Sequence, residues 1–136
     1  MARKTSLTIF KINFLIVDIG FIIYWLITYM NWIPDEFLFT DYKNPLLVIW
    51  NWSFFPIDIL ISITGFITLY LLKIGNPLWQ TLAKISLTLT FASGFVAISF
   101  WIIQGFYDPS WWLPNLYLAT YPILCVVYFY KKKIFI

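Results

Sequence analysis

Asp58 lies near the centre of a long apolar run, Pro45 to Leu72, that contains no oppositely charged residue. A carboxyl group at such a depth in hydrocarbon costs roughly 2.5 to 3.5 kcal/mol on insertion scales, so it marks an interior or water-facing position. Steps of three and four place Asn51, Phe55, Asp58, Ser62 and Gly65 on one helical face, a polar and small stripe on an otherwise greasy helix. Two chemistries are open to the acid. It can stay neutral and donate one hydrogen bond, or it can exchange a proton or hold a cation. Ser62 and Thr64 can donate to it, and so can the indole N–H groups of Trp50, Trp52, Trp101 or Trp111. Asn51 stands two turns away, and no Lys or Arg shares its depth.

Asp18 is a secondary acidic position of a different kind. Lys11 precedes it by two turns on the same face, roughly 10 Å of axial rise, so an interface or packing role with the lysine reaching outward is expected. Asp18 falls nearer the basic end than Asp58 by roughly 10 Å or more, which disfavours a carboxylate pair sharing one proton.

A wider set gathers in the other half of the chain's apolar segments. Asn51, Trp52, Asp58, Trp101, Gln104, Trp111 and Asn115 can converge there. Aromatic walls with a few polar groups are what small-molecule sites are made of. Further stripes of small residues, Ser86, Thr90, Ser93, Gly94 and Ala97, then Asn115, Ala119 and Pro122, fit close helix–helix seams. The chain has no histidine and one cysteine, Cys125, in an apolar run. Zinc, iron–sulfur and histidine-ligated haem sites therefore lack ligands, and no metal, cofactor or catalytic residue is assigned.

The elements that must position these residues are membrane helices. The chain's 136 residues are 62% hydrophobic and 11% charged, with a mean hydropathy of +0.83, whereas soluble domains carry about 25% charged residues. Four spans are expected, about 9–33, 46–72, 80–104 and 111–130, forming a single membrane domain over 1–136. The first is too long for a secretory signal. Pro56 favours a kink in the second by freeing a carbonyl near Trp52. The connection Pro34 to Asn44 mixes acids with Phe37, Leu38 and Phe39, as in a segment resting on the membrane surface. Ser110 is a candidate N-cap of the fourth span, with Pro114 in its first turn.

The net charge of +3 does not point to nucleic acid, because the cations sit at span ends and no soluble face presents them. Arg3, Lys4, Lys11, Lys73, Lys84, Lys131, Lys132 and Lys133 fall on one side of a four-span topology and only Lys43 on the other. That bias puts both termini in the cytoplasm. Trp32, Trp50, Trp52, Tyr107, Trp111 and Trp112 crowd the opposite ends as half of an aromatic belt.

Two stretches, NPLLVIWNWSFFPIDILISITGFITLY over 44–70 and ISFWIIQGFYDPSWWLPN over 98–115, resemble the YvaD-like small membrane proteins of Gram-positive bacilli. The resemblance covers essentially the whole chain. It implies a multi-pass protein of a bacterial cytoplasmic membrane and brings no activity with it. A weaker resemblance, at the level of topology, is to the EXPERA group, which includes the sigma-2 receptor and the emopamil-binding sterol isomerases. It implies an intramembrane pocket for an amphiphilic, often amine-bearing ligand, with Asp18 and Asp58 at the matching acidic positions. The absence of histidine departs from the isomerases.

The expectation is an all-α integral membrane protein, a four-helix bundle whose pocket in the outer half takes a membrane lipid or a lipophilic amine at Asp58. Two alternatives stand beside it. One is a small structural subunit that binds another membrane protein or a second copy of itself. The other is a lipid isomerase in which Asp58 shuttles a proton.

Overall fold

The computed structural model describes residues 2–136. Five α-helices follow in order: α1 (Ala2–Tyr29), α2 (Pro45–Trp52), α3 (Phe55–Lys73), α4 (Trp79–Gln104) and α5 (Pro109–Lys131). A single 3-10 turn, Asp35–Phe37, lies in the first connection. Four segments are long and apolar enough to cross a membrane: Arg3–Tyr29, Pro45–Lys73, Trp79–Gln104 and Pro109–Lys131. The chain is thus an all-α protein with four membrane-spanning helices, the second of them built from α2 and α3 together.

Local chemistry explains where each helix stops. The first ends at Tyr29, four residues before the sequence-based boundary, because Asn31 takes a left-handed conformation (φ 53°). Asparagine tolerates that geometry, and the turn lets the Trp32 amide close onto the Ile27 carbonyl. The same helix also starts earlier than expected, running through Arg3 and Lys4. In the second span the expected kink at Pro56 takes the form of a short break at Ser53 and Phe54 that separates α2 from α3. Proline removes the amide that would have met the Trp52 carbonyl, so the ladder is interrupted one turn earlier.

The fourth span corrects the capping assignment. Asp108, not Ser110, caps α5, and its carboxylate accepts the Ser110 amide at 2.8 Å. Pro109 occupies the first helical position, where a missing amide is harmless, and this moves Pro114 into the helix interior. The side-chain and backbone hydrogen bonds from Ser110 hold the Asp108 carboxyl below the usual carboxylate range.

The helices pack in the order α1 on α3, α3 on α4 and α4 on α5. Each contributes a stripe at helical spacing. On α1 it is Phe10, Phe14, Val17, Asp18, Phe21 and Trp25. On α3 it is Asp58, Ile61, Ser62, Gly65 and Thr68. The α4 stripe holds the small residues expected of a seam, Ala83, Ser86, Thr90, Ser93, Gly94 and Ala97. A Cβ on Gly94 would lie 2.7 Å from both the Ala119 amide nitrogen and the Asn115 carbonyl oxygen, so this glycine sets the approach of α4 to α5. Helix α5 buries only Pro122 and Phe129.

At the end that carries Arg3, Lys84 and Lys131–Lys133, an aromatic core closes the bundle. Phe10, Phe14, Trp79, Phe129 and Phe135 form it together with Ala83, Leu87 and Ile134. Lys133 reverses the chain after α5 (φ 52°), and the Ile134 amide returns to the Phe129 carbonyl at 2.8 Å. The last residues thereby tuck under the helices.

Gly94→Ala is expected to lower stability by about 1–3 kcal/mol, because the crowding atoms are largely α5 backbone and have nowhere to move. Thermal unfolding in detergent checks it, with Gly20→Ala as the contrasting change, since open space surrounds that glycine. Asp108→Ala is expected to fray the start of α5. For the wild type the sign follows from a lowered folded-state value: the stabilisation is full above the ordinary aspartate range and is lost as acid protonates the carboxylate. Amide exchange over 109–112 against pH reads both effects.

Candidate functional site

Asp58 is 3% exposed and sits in the first turn of α3. Both carboxyl oxygens are held. The Trp25 indole N–H donates to Oδ2 at 3.0 Å and the Ser93 hydroxyl donates to Oδ1 at 2.8 Å. The donors come from α1 and α4, so a single acid joins three helices. Neither Ser62 nor Thr64 serves it. Ser62 donates to the Asp18 backbone carbonyl at 2.8 Å, and Thr64 bonds the Leu60 and Ile61 carbonyls of its own helix. Threonine one turn along its helix reaches its own backbone more easily than a side chain at its side.

Trp25 is also the indole that the sequence reading missed. Its ring is fixed by Trp52 at 5.0 Å, Phe55 at 5.4 Å and Tyr24 at 4.9 Å between centroids. Its position seven residues after Asp18, hence on the same buried stripe, was the signal available in the sequence.

Beside Asp58 lies a cavity of about 370 Å³. Helix α1 lines it with Val17, Gly20, Phe21, Tyr24 and Trp25, and α4 with Ser93, Ala97 and Trp101. Trp50, Asn51 and Phe54 come from α2 and the break that follows it. Trp111, Pro114, Asn115, Tyr117 and Leu118 form the α5 wall. Of the residues singled out from sequence, Asp58, Asn51, Trp101, Trp111 and Asn115 line this space. Trp52 does not, because its ring packs on Trp25 and Phe55. Gln104 does not either, being exposed at the last turn of α4. The polar wall groups are oriented by neighbours: the Tyr24 hydroxyl donates to Asn51 Oδ1 at 3.2 Å, and the Asn115 amide donates to the Trp111 carbonyl at 2.7 Å.

The end of the cavity away from the basic residues is roofed by the first connection. The Trp111 indole donates to the Phe37 carbonyl at 3.1 Å, and the buried Phe39 ring meets Trp101 at 5.8 Å and Trp111 at 5.6 Å. Within the connection Phe39 turns inward against two indoles while Phe37 stays exposed.

Asp18 is 1% exposed and lies between α1 and α3, as a packing role requires. Lys11 is exposed and does not share its surroundings. The Asp18 carboxyl fills the space that Gly65 leaves open, since a Cβ at position 65 would collide with all three carboxyl atoms. Its Oδ2 has no hydrogen-bond partner among the described residues. Gly65 follows Asp58 by seven residues, about 10 Å along α3, so the two acids occupy separate niches. No group of three or more metal-ligating side chains occurs among the described residues.

Removing either donor to Asp58 leaves a buried carboxyl oxygen unpaired, so Trp25→Phe and Ser93→Ala are each expected to cost about 1–3 kcal/mol. In an Asp58→Leu background the same changes should cost far less, and the difference is the coupling read by a double-mutant cycle of unfolding free energies. Gly65→Ala should destabilise as well, and Asp18→Ala should relieve it by vacating the space the new methyl needs.

Compared with known proteins, residues 10–134 match the profile of a family of unknown function (DUF5360). A relative from Bacillus subtilis (strain 168), described as "Uncharacterized protein YvaD", is 47% identical over 116 residues, spanning 85% of this chain and 87% of the relative. These matches carry the YvaD-like resemblance and not the EXPERA one. No solved structure matches the chain.

Proposed function

We propose that this chain, which belongs to the family of unknown function DUF5360, is a ligand-binding protein of a bacterial cytoplasmic membrane whose cavity takes a lipophilic amine or an amine-bearing lipid. The observation that carries the reading is the position of Asp58. It is a buried acid, held at both oxygens by donors, that borders a cavity of about 370 Å³ walled by aromatic rings. A cation entering this space gains Coulomb attraction to the ionised acid and cation–π attraction to the indoles of Trp25, Trp50, Trp101 and Trp111. Asn51 and Asn115 add polar contacts on two further walls. Trp25 and Ser93 hold the carboxyl in place at the cavity wall, and no lysine or arginine lines the cavity to compete for it.

A proton-shuttling isomerase has less support, because it needs a second acid or base in the same space and Asp18 lies in its own niche against Gly65. The subunit or homodimer reading is favoured by one feature: α5 buries only two residues and leaves most of its surface for lipid or a partner.

Dodecylamine and bulkier lipophilic amines are expected to raise the thermal midpoint of the wild type. Asp58→Asn keeps the shape but removes the charge, so it should abolish the shift. Acidification should weaken binding as Asp58 takes up a proton. Failure of every amine to stabilise the wild type, or equal binding by Asp58→Asn, would leave the subunit reading in its place.

Both termini are assigned to the cytoplasm, supported by eight cations on one side of the topology against Lys43 on the other. A cysteine added after Ile136 should resist impermeant maleimides in intact cells and react after lysis. Labelling of intact cells overturns the orientation.

A further inference from the structure

We infer that the cavity is entered sideways, from the lipid, through a slot between α1 and α5 whose sill is Gly20. The inference rests on the ligand-binding reading and deepens it: the ligand is one that is already dissolved in the hydrocarbon when it meets the protein.

The packing order supplies the slot. Helices α1, α3, α4 and α5 form an open arc, each packed on the next, and the two outermost members are not packed on each other along their length. Toward the basic end they are joined by the Ser6–Tyr128 hydrogen bond at 2.9 Å, by the Phe10 and Phe129 rings at 5.1 Å and, nearest the cavity, by the Tyr117 hydroxyl, which donates to Asn13 Oδ1; at the other end the Tyr24 ring meets Trp111 edge-on at 6.3 Å. Asn13 and Tyr24 are eleven residues apart on α1, so the ties that flank the cavity lie about 16 Å apart along the helix. Between them the cavity wall consists of Ile16 and Gly20 on one side and Pro114 and Leu118 on the other.

Gly20 is the telling residue. It is exposed, it lines the cavity, and no atom lies within 4 Å of where its Cβ would stand. The other two helical glycines, Gly65 and Gly94, are pressed against neighbours. Gly20 makes no close packing contact and leaves a gap. The gap opens about nine residues, roughly 14 Å, from the end of α1, which is hydrocarbon depth. At the other end Trp111, Phe37 and Phe39 stand over the approach from water. A lipophilic amine can therefore keep its chain among lipid tails while its ammonium passes Gly20 to reach Asp58.

The test is exchange kinetics in lipid nanodiscs, using a long-chain primary amine with a dansyl group at its far end and energy transfer from the tryptophans as the signal. Gly20→Trp fills the slot but leaves Asp58 and its donors in place. Both the association and the dissociation rate should fall, by about tenfold or more, and the slower dissociation is the deciding readout, because a gate raises the barrier in both directions whereas bulk that merely crowds the bound ligand speeds its release. Gly20→Ala and Gly20→Leu should give graded slowing and cover the case in which the tryptophan variant folds poorly. Ser110→Trp, which adds the same bulk where Ser110 lines the other end of the cavity, probes the route from water and should not slow exchange. Wild-type rates in the Gly20 series, a loss of affinity without slower dissociation, or slowing by Ser110→Trp alone would each overturn the lateral route. Absence of any wild-type signal would instead sink the ligand-binding reading on which it rests.

Discussion

Trp25 on α1 and Ser93 on α4 each donate to a different oxygen of Asp58 on α3, so one carboxyl group ties three helices together. In hydrocarbon a polar group has no water to fall back on, and every donor and acceptor must be met from within the chain. That constraint runs through the whole structure. Thr64, Thr68, Thr88, Thr90 and Thr120 return their hydroxyls to their own helix backbones. Ser62 and Ser86 reach across to carbonyls of neighbouring helices. Helix rotation is thereby fixed by polar demand, because apolar side chains alone gain little by facing each other instead of lipid.

The two buried acids answer the demand in opposite ways. Asp58 is met by donors and borders open space. Asp18 is met by shape, its carboxyl seated where Gly65 has no side chain, with one oxygen left unpartnered. The first arrangement leaves room for a ligand and the second does not. This is why the functional weight falls on Asp58 even though both acids are almost fully buried.

Close packing and open space are distributed unevenly, and the glycines mark the boundary. Gly65 admits Asp18 between α1 and α3, and Gly94 lets α4 approach the backbone of α5. Gly20 has nothing opposite it, where α1 and α5 stand apart. The basic end is sealed by the cluster of Phe10, Phe14, Trp79, Phe129 and Phe135. The opposite end is lined by indoles around a void.

The sequence by itself determined the class: four apolar segments, their approximate limits, the break near Pro56 and the small-residue seam on α4. These follow from local chemistry, since length, hydropathy, proline and glycine act within a few residues of where they occur. It also marked Asp58, Asn51, Trp101, Trp111 and Asn115, because polar groups in greasy helices stand out. Only the tertiary structure decided which partners Asp58 takes. Trp25 and Ser93 lie 33 and 35 residues away from it, and a place on a buried stripe does not say which acid on another helix a donor will meet. It likewise removed Trp52 and Gln104 from the cavity wall, turned the first connection into a roof, and gave Asp18 its niche against Gly65. Helical periodicity fixes which residues share a face, but the face that meets a neighbour, and the place where two helices fail to meet, depend on how all four pack at once.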